Sequence, residues 1–255
     1  MKLFSINIPP IIRRQAVQQK KPNLNFQLGP IADTFQHSVK KYPDFKYDTA
    51  DSTFPNYRLI KKKRHSDRMA KYGNEECPPA KEVPKSEYKA ILDVQYERDE
   101  YLDVQEKLKK HLPLTPNEEK FVAFILSQMK PVKEDTVLWR AVGIYDGFEE
   151  QVKDGKMRFD ALTSTCSQYN DFFDFWYPEE HIEVDDRIIA KEGYMLKINI
   201  PAGTKVLDCN AVHKGQGTRM RGEVILPPSL WQVDSIDNDL KVIELSPLKN
   251  TANAE

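Results

Sequence analysis

Apolar positions along the chain change their spacing, and each change marks a different kind of structure. From Ser86-Glu87 onward, Tyr88, Ile91, Leu92, Tyr101, Leu102 and Leu108 offer an apolar face at helical intervals, which predicts a helical stretch ending near Lys110. Thr115-Pro116-Asn117-Glu118 starts another helix: threonine can cap it, proline suits its first position, and Glu118 can reach back to close a capping box. Phe121, Phe124, Ile125 and Met129 fall on one side of that helix and predict core packing. After Lys130-Pro131 the apolar residues alternate instead, and strands are expected at 137–142, 161–166, 194–200, 205–208, 223–226, 230–236 and 240–245. Pro201-Ala202-Gly203 makes a turn between two of them, and Pro227-Pro228 ends another. Helices followed by a run of strands predict an α+β fold: helices packed on a two-sheet β core with a cleft between the sheets.

Residues 1–84 follow neither pattern. Pro9-Pro10, Pro22, Pro30, Pro43, Pro55, Pro78-Pro79 and Pro84 recur too often for long helices or central strands. Between them lie Gln18-Gln19-Lys20-Lys21 and the basic cluster Lys61-Lys62-Lys63-Arg64, and such composition buries little apolar surface against its ordering entropy. The expectation is a largely extended or disordered leader over 1–84 and a folded domain over 85–250.

Composition narrows the partners. Lysine and arginine total 38 against 39 acidic residues, a net charge of −1, so no basic excess favours nucleic acid or an anionic membrane. No apolar run reaches bilayer length, and the N-terminal MKLFSINIPPIIRR is broken by prolines and arginines where a Sec signal needs an uninterrupted apolar segment. Cys77, Cys166 and Cys209 lack metal-ligand spacing, the five histidines are scattered, and no metal is expected. No glycine-rich phosphate loop is present, so a nucleotide has to be held in another way.

Three strand-borne elements carry candidate chemistry. Leu138-Trp139-Arg140-Ala141-Val142 sets one arginine in an apolar strand; Thr163-Ser164-Thr165 is a hydroxyl triplet; Arg221-Gly222-Glu223 starts a strand with a carboxylate. Each alone is ordinary. Together they suit cleavage of the nicotinamide–ribose bond of NAD, since an arginine fork can clamp the pyrophosphate and a carboxylate can stabilise the oxocarbenium left when nicotinamide departs.

Their order resembles the Arg-Ser-Glu clade of mono-ADP-ribosyltransferases, which includes binary actin-modifying toxins, Rho-modifying clostridial exoenzymes and vertebrate ectoenzymes. The similarity covers roughly residues 86–246. It implies an NAD-dependent transferase with Arg140, Thr163 and Glu223 catalytic. NAD contacts would come from Arg140, Ala141, Thr163, Ser164, Thr165 and Glu223, with Phe172 or Phe173 beside the nicotinamide. Arg219 and Arg221 stand where the family recognises its acceptor. Two positions depart from the pattern. Ala141 replaces the usual glycine after the arginine, and Arg221 replaces the usual Glu or Gln two residues before Glu223. A cation there repels a guanidinium acceptor, so a neutral or anionic side chain of a protein acceptor is expected, with a serine or threonine hydroxyl the first choice. An NAD glycohydrolase, or a non-catalytic NAD-binding module of the same fold, remains as an alternative. A proline-rich leader suits a toxin or effector secreted or injected into a target cell, and equally a cytoplasmic protein with a disordered tail.

Overall fold

The structure, a computed structural model, describes residues 49–51, 55–73, 78–96, 99–143, 147–169, 179–184, 187–217 and 222–248. The expectations for residues 1–48, for Phe172 and Phe173, and for Arg219 and Arg221 lie outside the described residues.

In chain order come β1 (Thr49–Asp51), α1 (Pro55–Tyr72), β2 (Lys81–Glu82), α2 (Lys85–Gln95), α3 (Asp99–Lys109) and α4 (Pro116–Gln128). Then follow β3 (Lys130–Pro131), β4 (Thr136–Val142), α5 (Phe148–Lys153), β5 (Lys156–Phe159), β6 (Thr163–Cys166), β7 (Glu179–Val184) and β8 (Arg187–Glu192). The chain continues with β9 (Tyr194–Ile200), β10 (Lys205–Asp208), β11 (Ala211–His213), β12 (Gln216–Gly217), β13 (Glu223–Leu226), β14 (Ser229–Asp237) and β15 (Val242–Pro247). The class is α+β, with helices leading and strands following. Strands β5, β7 and β8 are among the additions to those expected; β7 and β8 read EEHIEV and RIIAKE, too charged to show a clean alternation.

α4 begins with the expected capping box: the Glu118 N–H donates to Thr115 Oγ1 at 3.4 Å, and the Thr115 N–H donates to Glu118 Oε2 at 2.6 Å. Lys107 Nζ also donates to Glu118 Oε1 at 2.6 Å and ties the end of α3 to the start of α4. That ammonium, followed by the Thr115 N–H, holds the Glu118 carboxyl down at about 2. The helical stretch expected to run on to Lys110 is instead two helices, and the Tyr96 N–H closes α2 on the carbonyls of Leu92 and Val94. Val94 and Tyr101, both buried, stand two helical turns apart across the break, so apolar spacing does not register it.

Nine strands are hydrogen-bonded in the order β3-β10-β13-β6-β4-β9-β15-β14-β5. β4 pairs antiparallel with β9 from Thr136 to Val142, but with β6 only through Trp139 opposite Cys166. The expected two-sheet core is therefore two half-sheets hinged at one residue pair. Their inner faces share one apolar cluster, in which Leu138, Leu196, Ile198 and Trp231 meet Val206, Val224 and Leu226. The outer face of the first half receives α2, α3 and α4 through Ile91, Val94, Tyr101 and Ile125 against Leu207 and Ile225. β13 is thus buried on both sides, which explains its unbroken Val-Ile-Leu.

α1 lies inside the segment where proline spacing predicts extended chain, and it packs on the second half-sheet. Met69 and Tyr72 join the cluster of Trp139, Tyr169, Met195 and Val242. The Arg68 side chain is fully buried, its Nε donating to Tyr169 Oη at 2.8 Å and its Nη1 to Leu240 O at 3.0 Å. Arg64 Nη1 bonds the buried Glu192 carboxylate, and its Nε donates to Asp239 O at 2.6 Å. The inward stripe of this helix is Arg64, Arg68, Met69 and Tyr72, so its amphipathicity rests on arginines that find partners far along the chain. No helix among the described residues is long and apolar enough to cross a membrane.

Removing residues 1–84 strips α1 from this surface, uncovers the cluster of Trp139, Tyr169 and Met195, and takes Arg64 from Glu192. Loss of one partner of a buried pair costs about 3–5 kcal/mol. The truncated chain should therefore unfold at much lower denaturant than the full chain, and equal midpoints would show that α1 is dispensable.

Candidate functional site

β6 and β13 run antiparallel with Thr163 opposite Leu226, Ser164 opposite Ile225, Thr165 opposite Val224 and Cys166 opposite Glu223. Paired residues share a face, so Ser164 and Glu223 project to one side while Thr163 and Thr165 project to the other. The Ser164 hydroxyl donates to Glu223 Oε1 at 2.7 Å. Gln95 Nε2, at the last residue of α2, donates to Glu223 Oε2 at 3.0 Å. Glu223 is 8% exposed and makes no salt bridge among the described residues.

The other two hydroxyls of the triplet serve the main chain. Thr163 Oγ1 donates to Ala161 O at 3.0 Å and Thr165 Oγ1 to Val224 O at 2.6 Å, and both side chains are buried. Of the three hydroxyls, the one that reaches the carboxylate is that of Ser164.

Arg140 sits on β4 opposite Leu196, half-buried, and its Nη1 donates to Ser164 O at 2.5 Å. This bond spans the hinge between the half-sheets where the strand ladder has stopped. Beside it lies a cleft of about 810 Å³, lined by Arg140, Ala141, Thr163 and Ser164 together with Tyr101, Gln105 and Lys109 of α3 and Arg158 and Asp160 from the end of β5. A volume of that order suits a small-molecule ligand. Three cationic side chains against one carboxylate give the walls a positive bias. Glu223 does not line this cleft and connects to it through Ser164.

Backbone geometry fixes how Glu223 enters. Gly222 has φ +78°, and a Cβ there would lie 3.3 Å from Ser167 Oγ and 3.4 Å from Cys166 Sγ and Gln168 Oε1. Gly222 O accepts from the Ser167 N–H at 2.8 Å and from the Ser167 hydroxyl at 3.1 Å, and Glu223 O accepts from the Cys209 N–H at 2.9 Å. Burial, followed by the adjacent Glu223 carboxylate, pushes the Cys209 thiol well above its ordinary range, so it stays protonated and is no nucleophile.

Two site residues, Gln95 and Gln105, are additions to those expected from sequence. Gln105 Oε1 accepts from the Leu162 N–H at 3.0 Å, while its Nε2 donates to Leu162 O at 2.5 Å, replacing a strand partner just before the triplet. Their signal is a polar residue in an apolar stripe: Gln95 follows Tyr88 and Ile91 at helical spacing, and Gln105 stands between Tyr101 and Leu108.

No protein-family model and no curated protein matches this chain. Among solved structures it is similar to Plx2a, an ADP-ribosyltransferase toxin from Paenibacillus larvae, at 14% identity over 75% of this chain and 94% of that one, with a TM-score of 0.43. It is also similar to the Clostridium limosum C3 exoenzyme, at 18% identity, 77% and 96% coverage and a TM-score of 0.41. Vis toxin, an ADP-ribosyltransferase from Vibrio splendidus, stands at 13% identity, 80% and 90% coverage and a TM-score of 0.45.

Gly222→Ala forces a side chain into a left-handed backbone position with three polar atoms close by. It should lower stability by about 1–3 kcal/mol in chemical denaturation. An unchanged midpoint would mean that the turn into Glu223 has room to relax.

Proposed function

We propose that this chain is an NAD-dependent mono-ADP-ribosyltransferase that breaks the nicotinamide–ribose bond of NAD and transfers ADP-ribose to a hydroxyl side chain of a protein acceptor. The observation that carries this reading is the Glu223 carboxylate, buried and held at both oxygens by neutral donors, Ser164 and Gln95. A carboxylate restrained in that way keeps its charge available for a cation that develops beside it. When the C–N bond breaks, nicotinamide leaves with the bonding pair and the anomeric carbon becomes an oxocarbenium centre. Glu223 stabilises that centre, the acceptor oxygen bonds to it, and the hydroxyl proton passes to water. Aimed charge of this kind contributes about 3–4 kcal/mol. Support for a dinucleotide comes from the volume of the adjoining cleft and from Lys109, Arg140 and Arg158 on its walls. Arg140 is assigned both to the phosphates and to the β6 carbonyl, Thr163 to the wall that supports the ribose with Thr165 in the strand behind it, and Ala141 to the cleft lining beside Arg140.

The acceptor class follows from sequence. Arg221 stands two residues before Glu223, and repulsion between unit charges about 4 Å apart is on the order of 4 kcal/mol at an effective dielectric near 20. That slows modification of an arginine by roughly a thousandfold, whereas a neutral hydroxyl escapes the penalty. Arg219 and Arg221 are assigned to acceptor recognition, and Phe172 or Phe173 to the nicotinamide. Delivery into a target cell as a toxin or effector goes with this reading.

Glu223→Gln preserves shape and removes the charge, so nicotinamide release from NAD should fall by about a hundred- to a thousandfold while calorimetry shows NAD still bound. Near-normal release by this variant would remove Glu223 from the mechanism. After incubation of the wild-type protein with labelled NAD and a cell lysate, mass spectrometry should locate ADP-ribose on serine or threonine. Modified arginine would overturn the acceptor assignment, and nicotinamide release without any modified protein would identify a glycohydrolase.

A further inference from the structure

Resting on the assignment of Glu223 above, we infer that Gln95 is a positioning residue that holds the Glu223 carboxylate in its working orientation, which makes α2 a contributor to the reaction machinery. Gln95 is 7% exposed and ends α2, and its amide nitrogen lies 3.0 Å from Glu223 Oε2. Ser164 takes the other oxygen from β6 at 2.7 Å. A carboxylate gripped at one oxygen can still rotate about its last torsion. Gripped at both, by groups on two separate elements, it has one plane and one direction.

The chemistry of the side chain matters as much as its reach. A lysine or arginine at this position could make the same hydrogen bond, but its positive charge would oppose the field that Glu223 must present to a developing cation. An amide donates and stays neutral. Gln105 does similar work from the next helix, α3, where it holds both main-chain groups of Leu162 just before Ser164. The helical layer therefore fixes both halves of the Ser164–Glu223 contact, one through a side chain and the other through the backbone. Such a role acts on the rate of bond cleavage, not on how tightly NAD is held.

The test uses the full chain with Gln95→Met and Gln95→Glu, reading nicotinamide release against pH, NAD affinity by calorimetry, and the thermal melt. Gln95→Met keeps the volume and loses the donor, so kcat should fall about ten- to a hundredfold while the NAD Kd stays within about twofold. Gln95→Glu sets two carboxyls face to face. Fully ionised they repel, but once the pair captures a single proton the new carboxyl can donate to Glu223 again. Its kcat relative to wild type at the same pH should therefore climb as pH falls from about 8 to about 5. A Gln95 side chain that does not face Glu223 in solution gives a ratio that does not change with pH. That flat ratio, or a folded Gln95→Met with kcat within about twofold of wild type, overturns the assignment. Should Gln95→Met fail to fold, the pH dependence of Gln95→Glu decides. Wild-type protein that releases no nicotinamide defeats the reading of Glu223 itself and the inference with it, an outcome distinct from a failure at Gln95 alone.

Discussion

Strands β4 and β6 touch through one residue pair, Trp139 opposite Cys166, and the consequences of that early parting run through the whole molecule. Two strands that stay in register leave no room between them, because their backbones are held about 4.8 Å apart. Parting after one pair opens a wedge, at the cost of main-chain groups that no longer have a ladder partner. Side chains take over those groups. Arg140 donates to the Ser164 carbonyl, and Gln105 serves both the N–H and the C=O of Leu162. The apolar cluster between the half-sheets closes the far end with Leu138, Val224 and Leu226. The cleft is an opening whose exposed backbone has been claimed by polar residues.

The same economy explains the two helical flanks. On one side α2, α3 and α4 bury ordinary apolar stripes against Leu207 and Ile225, and two amides beside those stripes, Gln95 and Gln105, reach the site. On the other side α1 offers two arginines and only a short apolar face, and its attachment depends on Glu192, Tyr169 and the carbonyls of Asp239 and Leu240. Burying a guanidinium is costly unless its nitrogens are matched. α1 is therefore a helix with one place to sit, because that surface supplies the acceptors in the right places.

Legibility in the sequence divides along the same line. Strands β9, β10 and β13 begin and end where alternation and turn residues put them, and the capping box of α4 is present residue for residue. These features depend on neighbours in the chain. α1 is hidden because Arg64 and Arg68 look like solvent-facing residues until their distant partners are known. The α2–α3 break is hidden because the apolar phase continues through it. Within the site, Ser164 and Glu223 meet, and Thr163 and Thr165 flank them with hydroxyls given to the main chain. Gln95 is readable only as an anomaly, an amide in a buried stripe, and its target lies more than a hundred residues away.

The Gly222 carbonyl is anchored by Ser167, the Glu223 carbonyl by Cys209 and the Glu223 carboxylate by Ser164 and Gln95, all of them outside the segment that leads up to it. Gly222 ends that segment in a turn that disfavours any side chain. A change in the residues before the turn therefore leaves these four contacts with the partners they have.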